Sequence, residues 1–178
     1  MKHWELRLSG SGGQGIITGG IILAEAAILD GKNALQTQTY GPEARGGASK
    51  AEVIISSEEI TFPKVEHCDL LLSLTQVSCD KYLDTLKKDG ILVIDESVEA
   101  LQVEDIKVYS LPILNTASEK LGKSMVANIV ALGAINKITG IVSEDSLEKA
   151  VLSRVPESTL ELNKAALTEG YNLVKQRK

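Results

Sequence analysis

Two glycine-rich stretches carry the residue types and spacings that could do chemistry. In "SGSGGQGIITGG", Gly10, Gly12 and Gly15 fall at the spacing G-x-G-x-x-G, between a strand-like segment and a helical one. In that arrangement the first glycine makes the turn, the second lets a pyrophosphate approach the backbone, and the third lets helix and strand pack. Gly13 and Gln14 lie within the same turn, and Gly13 exposes still more backbone. Amides at the start of a helix favour an anion, so Gly10, Gly12, Gly13, Gln14 and Gly15 are candidates for a phosphate site. The same glycines serve equally well as a tight strand-to-helix turn that binds nothing. A nicotinamide or flavin site also asks for an acid at the end of the second strand, to hold the ribose hydroxyls. Here Gln38 and Thr39 stand at that place, and the first carboxylate, Glu43, follows only after a Gly-Pro turn. NAD binding is therefore expected to be weak or absent.

The second stretch is "YGPEARGG", from Tyr40 to Gly47. Within eight residues it combines the turn Gly41-Pro42, the carboxylate of Glu43, the guanidinium of Arg45 and the permissive pair Gly46 and Gly47. Only Tyr40 and Ala44 could pin it to a core, so it reads as a surface loop at the carboxyl end of a strand. In open α/β sheets that edge is where ligands and partners are met. A solvated loop in which Glu43 and Arg45 merely pair with each other is the plainer alternative. The remaining reactive residues are sparse. Two cysteines, Cys68 and Cys79, cannot hold an iron–sulfur cluster that takes four thiolates, and read as reduced structural or surface thiols. His3 and His67 are isolated, and read as strand-edge or surface residues.

The elements that must position these motifs follow from patterning. Trp4 to Leu8 alternates as a strand, the glycines follow, and "IITGGIILAEAAILD" is a helix with Ile17, Ile21, Ala24 and Ile28 on one face, ended by Gly31 in a left-handed conformation. "NALQTQTY" is a second strand, completing a βαβ unit with parallel strands. "ASKAEVIISSEEITFP" reads as two short strands around the turn-like "SSEE", which makes the sheet mixed. "CDLLLSLT" is a buried strand, "DKYLDTLKKDG" a helix stopping at Gly90 and carrying the charge of Lys87 away from both glycine stretches, and "ILVID" and "IKVYSL" are further strands. From Ser124 the chain is helical. Gly133 and Ala134 form a small pair that would let another helix approach, Ser143 caps the next helix, Pro156 breaks it, and a last helix runs from about Leu160 to Lys175. The expected fold is a single α/β domain over residues 1–178: an open, mostly parallel but mixed sheet with flanking helices, a Rossmann-like start and a helical C-terminal part.

Composition narrows the function further. With 178 residues, 43% of them hydrophobic, the chain is long enough for one domain with a real core. A formal charge of −5, one Trp and one Phe offer neither the basic field nor the stacking rings that nucleic acid requires. The longest apolar stretch, Met125 to Val142, is broken by Asn128, Asn136 and Lys137, which a bilayer core would penalise, and the start lacks a signal-peptide core. No membrane span is expected, and the reading is a cytoplasmic protein.

Taken together, "SGSGGQGIITGGIILAEAA" and "QTYGPEARGGASKAEVIIS", with the closing "LELNKAAL", closely resemble the gamma subunit or gamma domain of the 2-oxoacid:ferredoxin oxidoreductases. That family shares the patterns G-x-G-G-Q-G and Y-G-P-E-x-R-G-G, and the likeness covers essentially the whole chain. It implies a subunit of an enzyme that oxidatively decarboxylates a 2-oxoacid to an acyl-coenzyme A, or runs the reverse. It also implies that thiamine diphosphate with Mg and the 2-oxoacid meet between alpha and beta chains, that iron–sulfur clusters held by partner chains, a delta or ferredoxin-like chain among them in some complexes, carry the electrons away, and that ferredoxin or another acceptor takes them. By the same resemblance the variant "GPEARGGASKAEVIIS" points to 2-oxoglutarate, with pyruvate and branched-chain or aryl 2-oxoacids as alternatives. No catalytic residue and no metal ligand is assigned to this chain. Tyr40, Gly41, Pro42, Glu43, Arg45, Gly46 and Gly47 are candidates for intersubunit contact near the shared active site. The rival readings are a free-standing nucleotide-binding module and a plain assembly subunit whose glycine turn binds nothing.

Overall fold

The computed structural model describes residues 3–39, 47–99 and 105–175. Strands β1 (His3–Ser11), β2 (Asn33–Gln38), β3 (Ala48–Ser56), β4 (Cys68–Ser73), β5 (Leu86–Asp95) and β6 (Lys107–Leu111) form one mixed sheet in the order β2-β3-β1-β4-β5-β6. β1, β4, β5 and β6 run parallel, while β3 is antiparallel to both of its neighbours, β1 and β2. The expected α/β fold with a mixed sheet is thus the one observed, with one correction to its start. β1 and β2 point the same way but are not adjacent, because β3 inserts between them. "SSEEITFP" does not form a second strand after β3; the partner that makes β3 half of a hairpin is β2.

Helix α1 (Ile16–Leu29) leaves β1 and packs on β1, β2 and β3. On the same face lie α4 (Ala127–Thr139), α5 (Glu144–Leu152) and α6 (Leu160–Lys175), in one cluster with Leu8, Val53, Leu72 and Val93. The other face is covered by α2 (Gln76–Tyr82), whose Cys79 and Tyr82 pack with Ile54, Leu71 and Leu92. Between β6 and α4 the short α3 (Ile113–Asn115) runs into a single wide π turn, Thr116–Lys120.

Local chemistry sets several boundaries as the sequence foretold. Gly31 sits at φ 73° after its helix. Ser143 caps α5 by accepting from the Ser146 amide at 3.1 Å. Gly133 and Gly170 let α4 and α6 cross in backbone contact. Two boundaries differ from expectation. The helix after β4 ends at Tyr82 with one tighter turn, Leu83–Thr85, and "LKKDG" is drawn into β5. Lys87 accordingly lies on a strand and not on a helix, where its ammonium bridges Glu5 and Asp69 at 2.7 and 3.0 Å. On α1, Ala24 is buried as expected, but Ile28 is 58% exposed, and the buried residues are Ile16, Gly19, Gly20, Ile22, Leu23, Ala24, Ala26 and Ala27.

Candidate functional site

The chain leaves β1 toward one face of the sheet and leaves neighbouring β4 toward the other, so the topological switch point lies between the carboxyl ends of β1 and β4. The two strands are stitched there by Ser9, whose hydroxyl donates to the Leu72 carbonyl at 2.7 Å and lies 3.0 Å from the Ser73 hydroxyl. The glycine turn opens from this point.

Gly13 and Gly15 hold φ of 87° and 71°, which a side chain would strain. Gln14 folds back into the turn, and its Oε1 accepts from the Ser11 amide at 2.8 Å. A Cβ on Gly10 would lie 2.4 Å from that same oxygen. From the far side Asn128 Nδ2 donates to the Gly15 carbonyl at 3.1 Å. Gly15 is the residue that caps α1, and it has no side chain with which to do so. The first-turn residues Ile16, Ile17 and Thr18, with Ser11, Gly12, Gly13, Gly15 and Ser49, line an open cleft of about 420 Å³. A second cleft of about 340 Å³ lies beyond Gly13 and Gln14, against Leu114, Ser118, Ser124, Met125 and Ala127. An apolar-backed recess with uncapped amides on its wall suits an anion.

The inserted β3 explains why the dinucleotide pattern is incomplete. The strand beside the turn is β3, whose Ser49 lies opposite Gly10, while Gln38 and Thr39, at and just past the end of β2, belong one strand further out. The hydroxyl-holding acid of a dinucleotide site has no place next to the turn. Of the second motif, Tyr40, Gly41, Pro42, Glu43, Ala44, Arg45 and Gly46 lie outside the described residues, and Gly47 leads directly into β3. Its flanks are fixed: Gln38 pairs with Ala51, and Ala48 pairs with Ser11 of β1. The two flanks of the second motif thus lie at the same edge of the sheet as the glycine turn.

One polar cluster went unnoticed in the sequence. Arg7, only 3% exposed, donates through Nε and Nη2 to Glu52 Oε1 at 3.1 and 2.7 Å, and through Nη2 to the Val65 carbonyl at 2.8 Å. Lys50 joins at 2.8 Å from the same Glu52 oxygen, and both cations flank the Tyr82 ring. Burial raises the Glu52 pKa, but the hydrogen bonds from Lys50 and Arg7 outweigh it and hold the carboxyl below its ordinary value. Period-two alternation groups Arg7 with His3, Glu5 and Ser9, and Glu52 with Lys50 and Ser56, so both charges read as part of a polar face and the pattern carried no signal of their burial. Both cysteines are buried, and burial pushes the Cys68 thiol up to about 11. No three His, Cys, Asp or Glu side chains converge as a metal site among the described residues. No described helix is long and apolar enough to cross a membrane.

The fold and its turn define an open-sheet α/β protein with a glycine-lined cleft at the switch point. The chain belongs to the pyruvate ferredoxin/flavodoxin oxidoreductase family, whose model matches residues 5–173. Within it, the 2-oxoglutarate synthase subunit KorC of Methanocaldococcus jannaschii is 51% identical over 176 residues, covering 97% of this chain and 94% of that protein. The pyruvate synthase subunit PorC of Methanothermobacter thermautotrophicus is 34% identical over 175 residues, covering 97% and 96%. A solved keto/oxoacid ferredoxin oxidoreductase gamma subunit from Geobacter sulfurreducens superposes with a TM-score of 0.91 at 48% identity, over 99% of this chain and 98% of that one. The 2-oxoglutarate:ferredoxin oxidoreductase from Magnetococcus marinus, solved with 2-oxoglutarate, coenzyme A and succinyl-CoA bound, contains the fold in 32% of its chain, at a TM-score of 0.89 and 25% identity over all of this one. The resemblance to gamma-type chains of oxoacid:ferredoxin oxidoreductase complexes is borne out.

Proposed function

We propose that this chain is the gamma subunit of a cytoplasmic 2-oxoglutarate:ferredoxin oxidoreductase, acting as one domain over residues 1–178. The complex converts 2-oxoglutarate and coenzyme A to succinyl-coenzyme A and carbon dioxide, passing two electrons to ferredoxin, or runs the reverse. The observation that carries the substrate is the 51% identity to a 2-oxoglutarate synthase subunit over nearly the full length of both chains, against 34% for a pyruvate synthase subunit. Decarboxylation needs an electron sink, which thiamine diphosphate with Mg supplies between the alpha and beta chains, and the iron–sulfur clusters likewise belong to partner chains. This chain's residues bind and shape. The open amides of Gly12, Gly13 and the first turn of α1 take phosphate oxygens of coenzyme A, the phosphate-bearing substrate of the reaction. Tyr40, Gly41, Pro42, Glu43, Arg45, Gly46 and Gly47 meet the partner subunits beside that site.

Co-expression with the alpha and beta chains tests this. Acceptor reduction should require all three and run fastest with 2-oxoglutarate, ahead of pyruvate and 2-oxoisovalerate, while the chain alone is colourless and inactive. Arg45→Ala should weaken assembly or raise a Michaelis constant while leaving the unfolding temperature of the chain alone unchanged, whereas Lys149→Ala on α5 changes neither. Faster turnover of pyruvate would overturn the substrate, and identical behaviour of the two variants would overturn the loop assignment.

A further inference from the structure

We propose that Asn128 is a positioning residue for the phosphate-holding turn: it fixes the peptide between Gly15 and Ile16 and so aims the Ile16 amide at the cleft. The inference rests on the reading of that cleft as the coenzyme A phosphate site. A peptide unit is planar and trans, so its carbonyl and the following N–H point in opposite directions and turn together. Asn128 Nδ2 holds the Gly15 carbonyl at 3.1 Å from the α4 side, which leaves the Ile16 N–H directed away from α4. Glycine in the left-handed region, here φ 71° and ψ 24°, has little of its own to prevent rotation of that peptide.

The brace is itself rigid. Asn128 sits in the first turn of α4, is 9% exposed, and its Oδ1 accepts from the Ile129 amide at 2.9 Å. Rotation of the side chain would therefore break a bond at each end. Its fit to the turn is close as well, since a Cβ on Gly15 would come within 2.5 Å of Nδ2. The Gly15 carbonyl also receives the first bond of α1, from the Gly19 amide at 2.9 Å, so one oxygen ties together turn, helix and α4. Gln14 braces the turn from inside, and Asn128 reaches it from another element, 113 residues on.

The test uses the reconstituted three-subunit complex. Asn128→Ala should raise the KM for coenzyme A about tenfold, one neutral hydrogen bond's effect on a pre-set site, with kcat and the KM for 2-oxoglutarate unchanged. Asn128→Asp, which keeps the shape but removes the donor and adds a negative charge, should raise it further. The Kd of unreactive desulfo-coenzyme A, measured by calorimetry on the complex, should move by the same factor. Gly12→Asp serves as the marker for the cleft itself, its carboxylate opposing phosphate directly. If Gly12→Asp raises the coenzyme A KM and neither Asn128 variant does, the positioning role is wrong and the site stands. If none of the three raises it, the site itself is wrong. Equal rises in both Michaelis constants with a fallen unfolding temperature would mark Asn128 as merely structural and likewise overturn the proposal.

Discussion

Replacing Gly170 by alanine separates two physical effects of opposite sign. In an unconstrained helix interior the change stabilises by about 1 kcal/mol, because alanine loses less backbone entropy than glycine. At this crossing a Cβ on Gly170 would stand 2.2 Å from the Val130 carbonyl oxygen and 2.9 Å from the Ala134 nitrogen, about 1 Å or more inside ordinary contact for the first of these. Both opposing atoms are backbone of α4, so no rotamer change relieves the clash, and α6 must shift outward along a buried seam that includes Ala166 and Leu167. Overpacking of this kind costs roughly 1–3 kcal/mol and here reaches the upper end, leaving a net loss of about 2 kcal/mol after the propensity gain. For a chain of this size that is a Tm lower by roughly 4–8 °C. Thermal unfolding of the full chain by circular dichroism reads it, with Thr168→Ala on the exposed side of α6 as the control expected to be neutral or slightly stabilising. A Tm for Gly170→Ala at or above that of the control would show that α4 and α6 do not cross in backbone contact.

Glu52→Gln should destabilise the chain by about 3 kcal/mol at neutral pH, because it leaves Arg7 buried opposite an uncharged partner. Since the Glu52 pKa is depressed on folding, its contribution is full above the ordinary value of 4.5 and is lost as pH falls through the lower folded value; the gap between wild type and variant in urea unfolding should close over that acid range. A gap that persists unchanged at the acid end would count against the ion pair. With Cys68 shifted up to about 11 and Cys79 also raised by burial, a thiol reagent at pH 8 should label the native chain slowly and both thiols at once in denaturant; rapid native labelling would contradict their burial.

Strand, glycine turn and helix were legible because glycine spacing and period-two alternation are local signals, and Ser143 and Gly31 were legible because caps act within a turn. The order of strands was not. Alternation assigns faces but carries no record of neighbours, so nothing in "ASKAEVIIS" says that it lies between β1 and β2. α1 is apolar on nearly every side, which is why its periodicity could not choose between Ile28 and Leu23 as the buried residue. "LKKDG" reads as helix by itself and becomes strand because Leu86 pairs with Cys68. At the site, the turn was visible, but its brace was not: Asn128 reads as an interruption of an apolar helix until the fold brings it against Gly15. The partnership of Arg7 with Glu52 was hidden for the same reason, since the two charges meet across a strand pair 45 residues apart.

The first described strand is also the middle of the sheet, with β3 on one side and β4 on the other. During synthesis β1 leaves the ribosome with no available neighbour: its antiparallel partner begins at Ala48 and its parallel partner at Cys68. The nascent chain must therefore keep this segment unpaired until β3 is made and paired on one side only until β4 follows, whereas the β2–β3 hairpin can close as soon as it is made.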